Sequence, residues 1–291
     1  MNLNELALIE RSIRNGSPIA ISPTLLNSDA HNHLRPLVVH RDHGIQREDV
    51  TVIIPTHRRV PVGLEAFVAQ SKNVHILLNG AVDIPHLPSV QIRLVSWKGH
   101  GQTRQEAIAH VKTPYVFLTV DDAIPLLNCL DALVFEMEDG EWDALIARQI
   151  PFPTAEQYTK DQLALWTPHC ETTYPMPQCD HVGTLYRTES LRTNPIPDVP
   201  IAEDVWWSRG KRVGCVPKAF IVHSHPRRTL ALIKREYAIH KQLKSVGLSS
   251  QSNIGLTGVF QGAFHTTFQY GLKEGIRVTA QNLSRFAAHK L

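Results

Sequence analysis

Short apolar blocks alternate with helical patterns along the chain from residue 50 onward. Apolar runs of about four to eight residues are typical of buried strands. Four such blocks predict strands: VTVIIP (50–55), VHILLNG (74–80), VQIRLVSW (90–97) and YVFLTV (115–120). Helical patterns lie between them at about 62–71 and 99–111. Since strands separated by helices pair in parallel through right-handed crossovers, residues 50–122 predict a doubly wound sheet.

Longer interruptions separate the elements in the second half of the chain. Helical patterns cover about 125–137 and run from Glu203 toward a stop at Gly214. Further strands are predicted at 142–150, just after 181 and at 219–226. The proline-rich segment 151–180 predicts a long loop over a site. The whole pattern indicates an α/β fold with a mostly parallel, Rossmann-like central sheet flanked by helices.

Composition narrows the class of protein. The chain has 291 residues, 43% of them hydrophobic and 20% charged, as in a soluble globular protein. It divides into a predicted N-terminal extension (1–48), a central domain (49–226) and a helical C-terminal region (227–291). A net charge of +3 is too small to indicate bulk nucleic-acid binding. No apolar run approaches the roughly 20 residues that span a bilayer, and the N-terminus lacks the basic start of a secretion signal. We therefore expect a cytoplasmic protein.

The cysteines add little chemistry. Four cysteines in a chain of this length are too few for a disulfide scaffold. One grouping, His169-Cys170 with Cys179 and His181, suggests a zinc site, but its spacing matches no usual zinc pattern. Ordinary loop and core residues are the preferred interpretation.

Two neighbouring carboxylates, Asp121 and Asp122, follow the fourth predicted strand. In an open α/β sheet, ligands bind outside the carboxyl ends of the strands. Two adjacent acids repel each other unless a cation or a network of donors compensates them. A divalent metal that holds a diphosphate is the simplest compensation, and a strand followed by a helix N-cap is the structural alternative.

Four segments in order resemble glycosyltransferase family 2, whose members have a GT-A fold. The matching residues are Pro55-Thr56 after the first strand, Arg104 in the helix before the acids, Asp121-Asp122, and Glu203-Asp204 on a later helix. The resemblance extends roughly from Val50 to His225. The tail that begins VHSHPRR is most similar to the rhamnosyltransferase-like branch. The resemblance implies a GT-A catalytic domain with an N-terminal extension and a helical C-terminal appendage.

The resemblance also implies a ligand set. Asp122 would bind Mn²⁺ or Mg²⁺, with His223 or His225 completing the metal shell, and Asp121 would bind ribose or orient the metal ligands. Asn79 stands where the family usually has an acid that contacts the base or ribose, which leaves the nucleotide open. His57, Arg58 and Arg59 lie at the mouth of the site, with a surface role as an equal alternative. The predicted nucleotide-sugar contacts are Pro55, Thr56, Arg58, Asn79, Arg104, Asp121, Trp206 and Arg209.

The second acidic pair supplies the candidate catalytic residues. An acceptor hydroxyl loses its proton as it attacks the anomeric carbon, and a carboxylate opposite the leaving group can take that proton. Asp204 fits this role, with Glu203 beside it; capping of the helix start is the alternative. A base in that position implies inversion at the anomeric carbon. Of Trp206 and Trp207, one can stack on a sugar, and at least one is expected in the core.

The predicted function is metal-dependent, inverting transfer of a sugar from a UDP-, dTDP- or GDP-sugar to a glycan, glycolipid or other lipid-linked acceptor, as in polysaccharide biosynthesis. A basic helix at 227–244 suggests peripheral contact with an anionic membrane, against a solvated helix packed on the domain. The alternative is an inactive nucleotide-sugar-binding scaffold subunit, which Asn79 motivates. A nucleotidyltransferase ranks last, because THRRVPVG is a poor match to a glycine-rich activation loop.

Overall fold

The computed structural model describes residues 47–126, 128–152, 155–168, 170–199, 201–224, 233–234, 237–241, 244, 266 and 269–290. The predicted extension 1–48, apart from its last two residues, lies outside the described residues. So do His225 and most of the basic segment 227–244.

The first half of the chain forms the parallel sheet that the apolar blocks predict. A 3-10 turn at Arg47–Asp49 precedes the first strand. The elements are β1 (Val50–His57), α1 (Leu64–Val68), β2 (Asn73–Asn79), β3 (Val90–Leu94), α2 (His100–Ile108) and β4 (Tyr115–Thr119). Their sheet order is β3-β2-β1-β4, and every neighbouring pair is parallel. The four predicted strands and both predicted helices are confirmed; β1 extends two residues beyond its predicted end, β2 is shifted by one residue, and the others are shorter by a few residues.

The second half extends the same sheet with strands of both directions. Its elements are β5 (Ile124–Pro125), α3 (Cys129–Asp139), β6 (Ala144–Ile150), α4 (Gln157–Trp166), β7 (Tyr174–Met176), β8 (Gly183–Arg187), α5 (Thr188–Thr193), α6 (Glu203–Trp207), β9 (Val213–Val222) and α7 (Leu272–Lys290). The full order is β3-β2-β1-β4-β8-β6-β9-β5, with β7 paired to β9. Strand β8 is antiparallel to both β4 and β6 and joins the two halves. The expected loop 151–180 thus contains a helix and a short strand.

Both faces of the central strands are buried, as a doubly wound fold requires, whereas the edge strand β3 is largely exposed. Successive residues of a strand point to opposite faces, so Val52 and Ile54 enter one apolar cluster and Ile53 enters the other. Strand β4 repeats this alternation with Phe117 and Leu118. The helices cover these two layers, and the predicted α/β fold class is confirmed.

The C-terminal helix α7 contacts α4 through polar side chains. Lys273 Nζ lies 3.2 Å from Glu156 Oε1, and Arg277 pairs with the same carboxylate. The Tyr270 hydroxyl donates to Asp161 Oδ2 over 2.5 Å. These contacts attach the helical C-terminal region to the segment between β6 and β7. Among the described helices, none combines the length and apolar character that crossing a bilayer requires.

Candidate functional site

The carboxyl ends of β1 and β4 bring Thr56 and Asp121 together. Thr56 Oγ1 donates to Asp121 Oδ2 over 2.8 Å, and Arg59 Nε donates to the same oxygen over 2.6 Å. Arg59 Nη2 pairs with the second oxygen, so the contact between guanidinium and carboxylate is bidentate. Arg59 Nη2 also lies 3.8 Å from Asp122 Oδ2. A side-chain cation of the protein therefore compensates the acidic pair.

Backbone geometry explains why Arg59, and not Arg58, reaches the acids. Arg58 has a φ of 51°, in the left-handed region that bulky residues rarely adopt. Its amide donates to Asn79 O over 3.1 Å, and its exposed side chain lies against Gly80. A Cβ on Gly80 would lie 2.4 Å from Arg58 Cγ. Arg58 and Asn79 thus lie side by side at the ends of β1 and β2.

Replacing Arg59 with alanine is expected to destabilise the fold, because the half-buried Asp121 and the buried Asp122 then lose their shared cation. The expected loss is about 1–3 kcal/mol of unfolding free energy. Addition of Mn²⁺ should raise the unfolding free energy of the variant by more than it raises that of the wild type. Urea denaturation with and without Mn²⁺ measures both. The matched control is Lys98→Ala, which removes an ion pair with Glu106 that is about half exposed on both sides, worth less than about 1 kcal/mol. Equal losses in the two variants would contradict the role given to Arg59.

Asp122 faces His223, the first residue after β9. His223 Nε2 lies 3.6 Å from Asp122 Oδ1, which is too long for a hydrogen bond. On the other side of the ring, Nδ1 lies 3.3 Å from Gln149 Oε1, while Gln149 Nε2 donates to Asp180. The amide nitrogen of Gln149 donates to the Asp180 carboxylate, so its carbonyl oxygen faces His223 Nδ1. Because a carbonyl oxygen only accepts, Nδ1 must carry the hydrogen. In the neutral ring, Nε2 therefore presents a lone pair toward Asp122.

A carboxylate oxygen and an imidazole lone pair that face each other fit a shared cation. Metal–oxygen and metal–nitrogen bonds are about 2.0–2.2 Å long, so a separation of 3.6 Å admits an ion between them. Gln149 would fix the ring orientation, as a partner behind a metal-binding histidine usually does. Within the described part of the chain no three His, Cys, Asp or Glu side chains form a metal site. His225, the other histidine in the predicted set, is not among the described residues.

The second acidic pair divides into one buried and one half-buried carboxylate. Glu203 is buried, and its Oε1 lies 3.1 Å from both Arg104 Nη1 and His181 Nδ1. Burial acts to raise the pKa of Glu203, but the hydrogen bond and charge of His181, together with the charge of Arg104, outweigh it and lower the pKa to about 2. Glu203 is therefore ionised at neutral pH, with Oε1 contacted by both partners.

Arg104 is buried where the helix α2 packs on α6. Its side chain is only 2% exposed and its guanidinium pairs with Glu203. The contact between Arg104 and a nucleotide stays a prediction. A Cβ on Gly101 would lie 2.5 Å from Pro197 O and 3.4 Å from Glu203 Cβ.

Asp204 is the second residue of α6 and is half-buried. Its Oδ1 accepts the amide hydrogen of Val205 over 2.8 Å, but the N-cap position belongs to Ala202 and no side chain caps the helix there. In the portion of the chain that is described, no cation lies within ion-pair distance of its carboxylate. Burial raises the pKa of the neighbouring Asp180, and the charge of Asp204 acts in the same direction.

The turn at residues 180–181 connects the two acidic pairs. Asp180 accepts hydrogen bonds from Gln149 Nε2 and from Trp166 Nε1, the latter over 3.3 Å. Through Gln149, the contacts lead on to His223 and then to Asp122. His181, the next residue, binds Glu203. A series of side-chain contacts, joined where Asp180 and His181 are neighbours in the chain, thus runs from Asp122 to Glu203, although about 80 residues separate them along the chain. Sequence analysis did not assign Gln149, Asp180 or His181 to this site.

The remaining predicted residues lie around this network. Trp207 is buried, with its Nε1 donating to Asn194 O over 2.8 Å, as expected for one of the two tryptophans. Trp206 is half-buried, and the exposed Arg209 lies over its ring at 5.4 Å from the centroid. Pro55 is buried inside β1.

Comparison with known proteins identifies the architecture. No family model matches the sequence, and no curated protein matches it. Among solved structures, the mannosyltransferase PcManGT from Pyrobaculum calidifontis, in complex with GDP-Man and Mn²⁺, is 15% identical. The alignment covers 99% of this chain and 87% of that one, with a TM-score of 0.50. The chain has a GT-A fold.

Two further structures were found at lower similarity. S. aureus TarS 1-349 is 13% identical over 83% of this chain and 89% of that chain, with a TM-score of 0.47. GalNAc-T7 with UDP, GalNAc and Mn²⁺ is 11% identical over 77% of this chain, also with a TM-score of 0.47. The match spans 58% of the length of that GalNAc-T7 chain. The GT-A assignment depends on the mannosyltransferase alone.

Proposed function

We propose that this GT-A protein transfers a sugar from a nucleotide-sugar donor to a hydroxyl group of an acceptor. The observation that carries the proposal is the contact network from Asp122 to Glu203, which brings two sequence-distant acidic pairs to one end of the sheet. The mannosyltransferase of the same fold was solved with GDP-Man and Mn²⁺, which supports a donor of this class.

The first acidic pair would serve the diphosphate side of the donor. Asp122 and His223 would hold a divalent cation, Mn²⁺ or Mg²⁺, and phosphate oxygens would complete its coordination. When bound, such an ion stabilises negative charge on the departing diphosphate. Arg59 holds Asp121 in place and adds positive charge beside the same group. Thr56, Arg58 and Asn79, at the ends of β1 and β2, would face the nucleoside.

The second acidic pair would serve the acceptor side. Asp204 is half-buried in the first turn of α6, so its carboxylate is the one of the pair that an acceptor hydroxyl can approach. It would take the hydroxyl proton as the oxygen attacks, which gives inversion at the anomeric carbon. Glu203, predicted beside Asp204 as the second catalytic residue, would position α6 through Arg104 and His181. Trp206 with Arg209 would border the sugar.

The donor base, the sugar and the acceptor are narrower parts of the same proposal. UDP-, dTDP- and GDP-sugars are all candidates, with a rhamnosyltransferase-like activity suggested by the sequence of the tail. A glycan or lipid-linked acceptor in polysaccharide biosynthesis suits a cytoplasmic enzyme with peripheral membrane contact. The basic segment 227–244 that prompted the membrane hypothesis lies mostly outside the described residues.

A thermal-shift screen tests the proposal directly. Nucleoside diphosphates and their sugars are added with and without Mn²⁺ or Mg²⁺. A ligand at 100 times its dissociation constant stabilises the fold by about 2.7 kcal/mol, which is several degrees for a protein of this size. Release of the nucleoside diphosphate is then followed with the best donor. Absence of any nucleotide-dependent shift contradicts the proposal, and binding without turnover supports the scaffold alternative.

Replacement of Asp204 by asparagine is expected to slow transfer by about 100-fold, since general base catalysis contributes at least this much. Donor binding should be unchanged, because the carboxylate acts on the acceptor. Single-turnover transfer and a donor titration measure the two effects separately. The matched control is Asp198→Asn, at an exposed position shortly before α6. Loss of donor affinity without a slower transfer step would assign Asp204 to binding.

A further inference from the structure

His181 is a buried histidine with one ring nitrogen engaged and the other not. It lies just before β8, and its side chain is 4% exposed. Nδ1 is 3.1 Å from Glu203 Oε1. Among the described residues, no atom hydrogen-bonds to its buried Nε2. A buried polar atom without a partner costs about 1–3 kcal/mol, so a bound group that satisfies Nε2 would be stabilising.

The surroundings determine which kind of group Nε2 can accept. Glu203 is ionised and can only accept hydrogen bonds, so Nδ1 of His181 must be the donor. In the neutral ring, Nε2 then has a lone pair and needs a hydrogen-bond donor. Arg104 holds the same oxygen of Glu203 from the other side, which fixes the carboxylate and, through it, the orientation of the ring.

The contacts around His181 indicate which part of a bound nucleotide sugar could reach its Nε2. Asp180, the preceding residue, belongs to the contacts that lead to Asp122. Asp204 follows the glutamate that binds the ring. His181 is therefore connected through Asp180 to the residues proposed for the diphosphate, and through Glu203 to the neighbour of the residue proposed for the acceptor. An ionised diphosphate has no hydrogen to donate, whereas a sugar offers several hydroxyl groups.

We propose that His181 Nε2 accepts a hydrogen bond from a hydroxyl of the transferred sugar and thereby selects the donor. This inference rests on the proposed function. His181 acts in binding and discrimination, while Glu203 and Arg104 position it.

Nitrogen NMR of the histidine rings tests the contact in the intact protein. The His181 signals are assigned by their loss in His181→Gln. Mg²⁺ is used because it is diamagnetic, and the probes are UDP, GDP and dTDP, followed by UDP-glucose, UDP-GlcNAc, GDP-mannose and dTDP-rhamnose. The Nε2 resonance should move with a bound sugar nucleotide and stay in place with the matching nucleoside diphosphate. The exposed His110 is the internal control and should not move with either.

Kinetics with deoxy sugars give a second readout. Removing the recognised hydroxyl should raise the donor KM of the wild type by about 10-fold, and His181→Leu should no longer distinguish that deoxy donor from the parent. A merely structural histidine would lower activity toward both donors equally. His110→Leu should keep the wild-type preference.

The failures of the two proposals are distinguishable. If a sugar nucleotide binds and turns over while the Nε2 signal matches that with the nucleoside diphosphate, the role of His181 is wrong and the proposed function stands. If none of the named sugar nucleotides binds, both are overturned. Should His181→Leu fail to fold, the wild-type NMR titration still decides.

Discussion

Replacing Asp122 with asparagine should lower sugar transfer by about 1,000-fold or more and leave the protein folded. Asparagine has nearly the same shape, so the packing around this buried side chain is preserved. What disappears is the negative charge opposite His223 Nε2, and with it the proposed grip on a divalent cation. Removal of a single group that stabilises charge in a transition state costs about 10²–10³ in rate, and loss of the ion removes more. Turnover at saturating donor and the melting temperature are the two measurements.

The metal dependence of the variant separates coordination from general damage. Weakened binding predicts that activity in Asp122→Asn recovers partly as the Mn²⁺ concentration rises. Asp131→Asn, on the exposed side of α3, is the matched control and should behave like the wild type. If Asp122→Asn turns over at the wild-type rate with an unchanged metal requirement, Asp122 is not a metal ligand.

The parallel half of the fold could be predicted because three of its four strands, β1, β2 and β4, are buried on both faces. Continuous apolar runs such as VTVIIP favour strands over loops. Their alternation with helices predicts a parallel sheet. Acids directly after β4 then fall at the ligand-binding edge by geometry alone. The acidic pair and its neighbour Thr56 were therefore accessible from the sequence.

The other contacts depend on backbone turns and long-range packing that leave no local pattern. The left-handed conformation of Arg58 turns Arg59 toward the acids. The sequence His57-Arg58-Arg59 has no feature that predicts this backbone conformation. The antiparallel direction of β8 follows from the connections around it. It carries His181 to Glu203 across 22 positions. The same packing buries Arg104, which the sequence placed among the nucleotide contacts.

Replacing Arg104 with methionine should destabilise the protein by about 3–5 kcal/mol, because the ionised Glu203 loses its buried partner. Methionine fills much of the same volume, so the loss reports charge more than a cavity. Adding Glu203→Gln to this variant should recover part of the loss, since no buried charge then remains unpaired. Urea denaturation at pH 7 compares the wild type, Arg104→Met and the double variant. Lys98→Met, in a half-exposed pair, is the control; a similar small loss in Arg104→Met would contradict the buried ion pair.

Acid titration should distinguish the same pair by a second route. The pKa of Glu203 falls from an ordinary value near 4.5 to about 2 in the fold. A carboxyl whose folded pKa is depressed stabilises the protein above its unfolded pKa, and this contribution disappears as the pH falls toward the folded pKa. At about 1.4 kcal/mol per pKa unit the difference is roughly 3 kcal/mol. Wild-type stability should therefore decline between pH 5 and about 2 more steeply than that of Glu203→Gln, which lacks this titrating group. Parallel slopes in the two proteins would mean that Arg104 and His181 do not hold Glu203 in its ionised form.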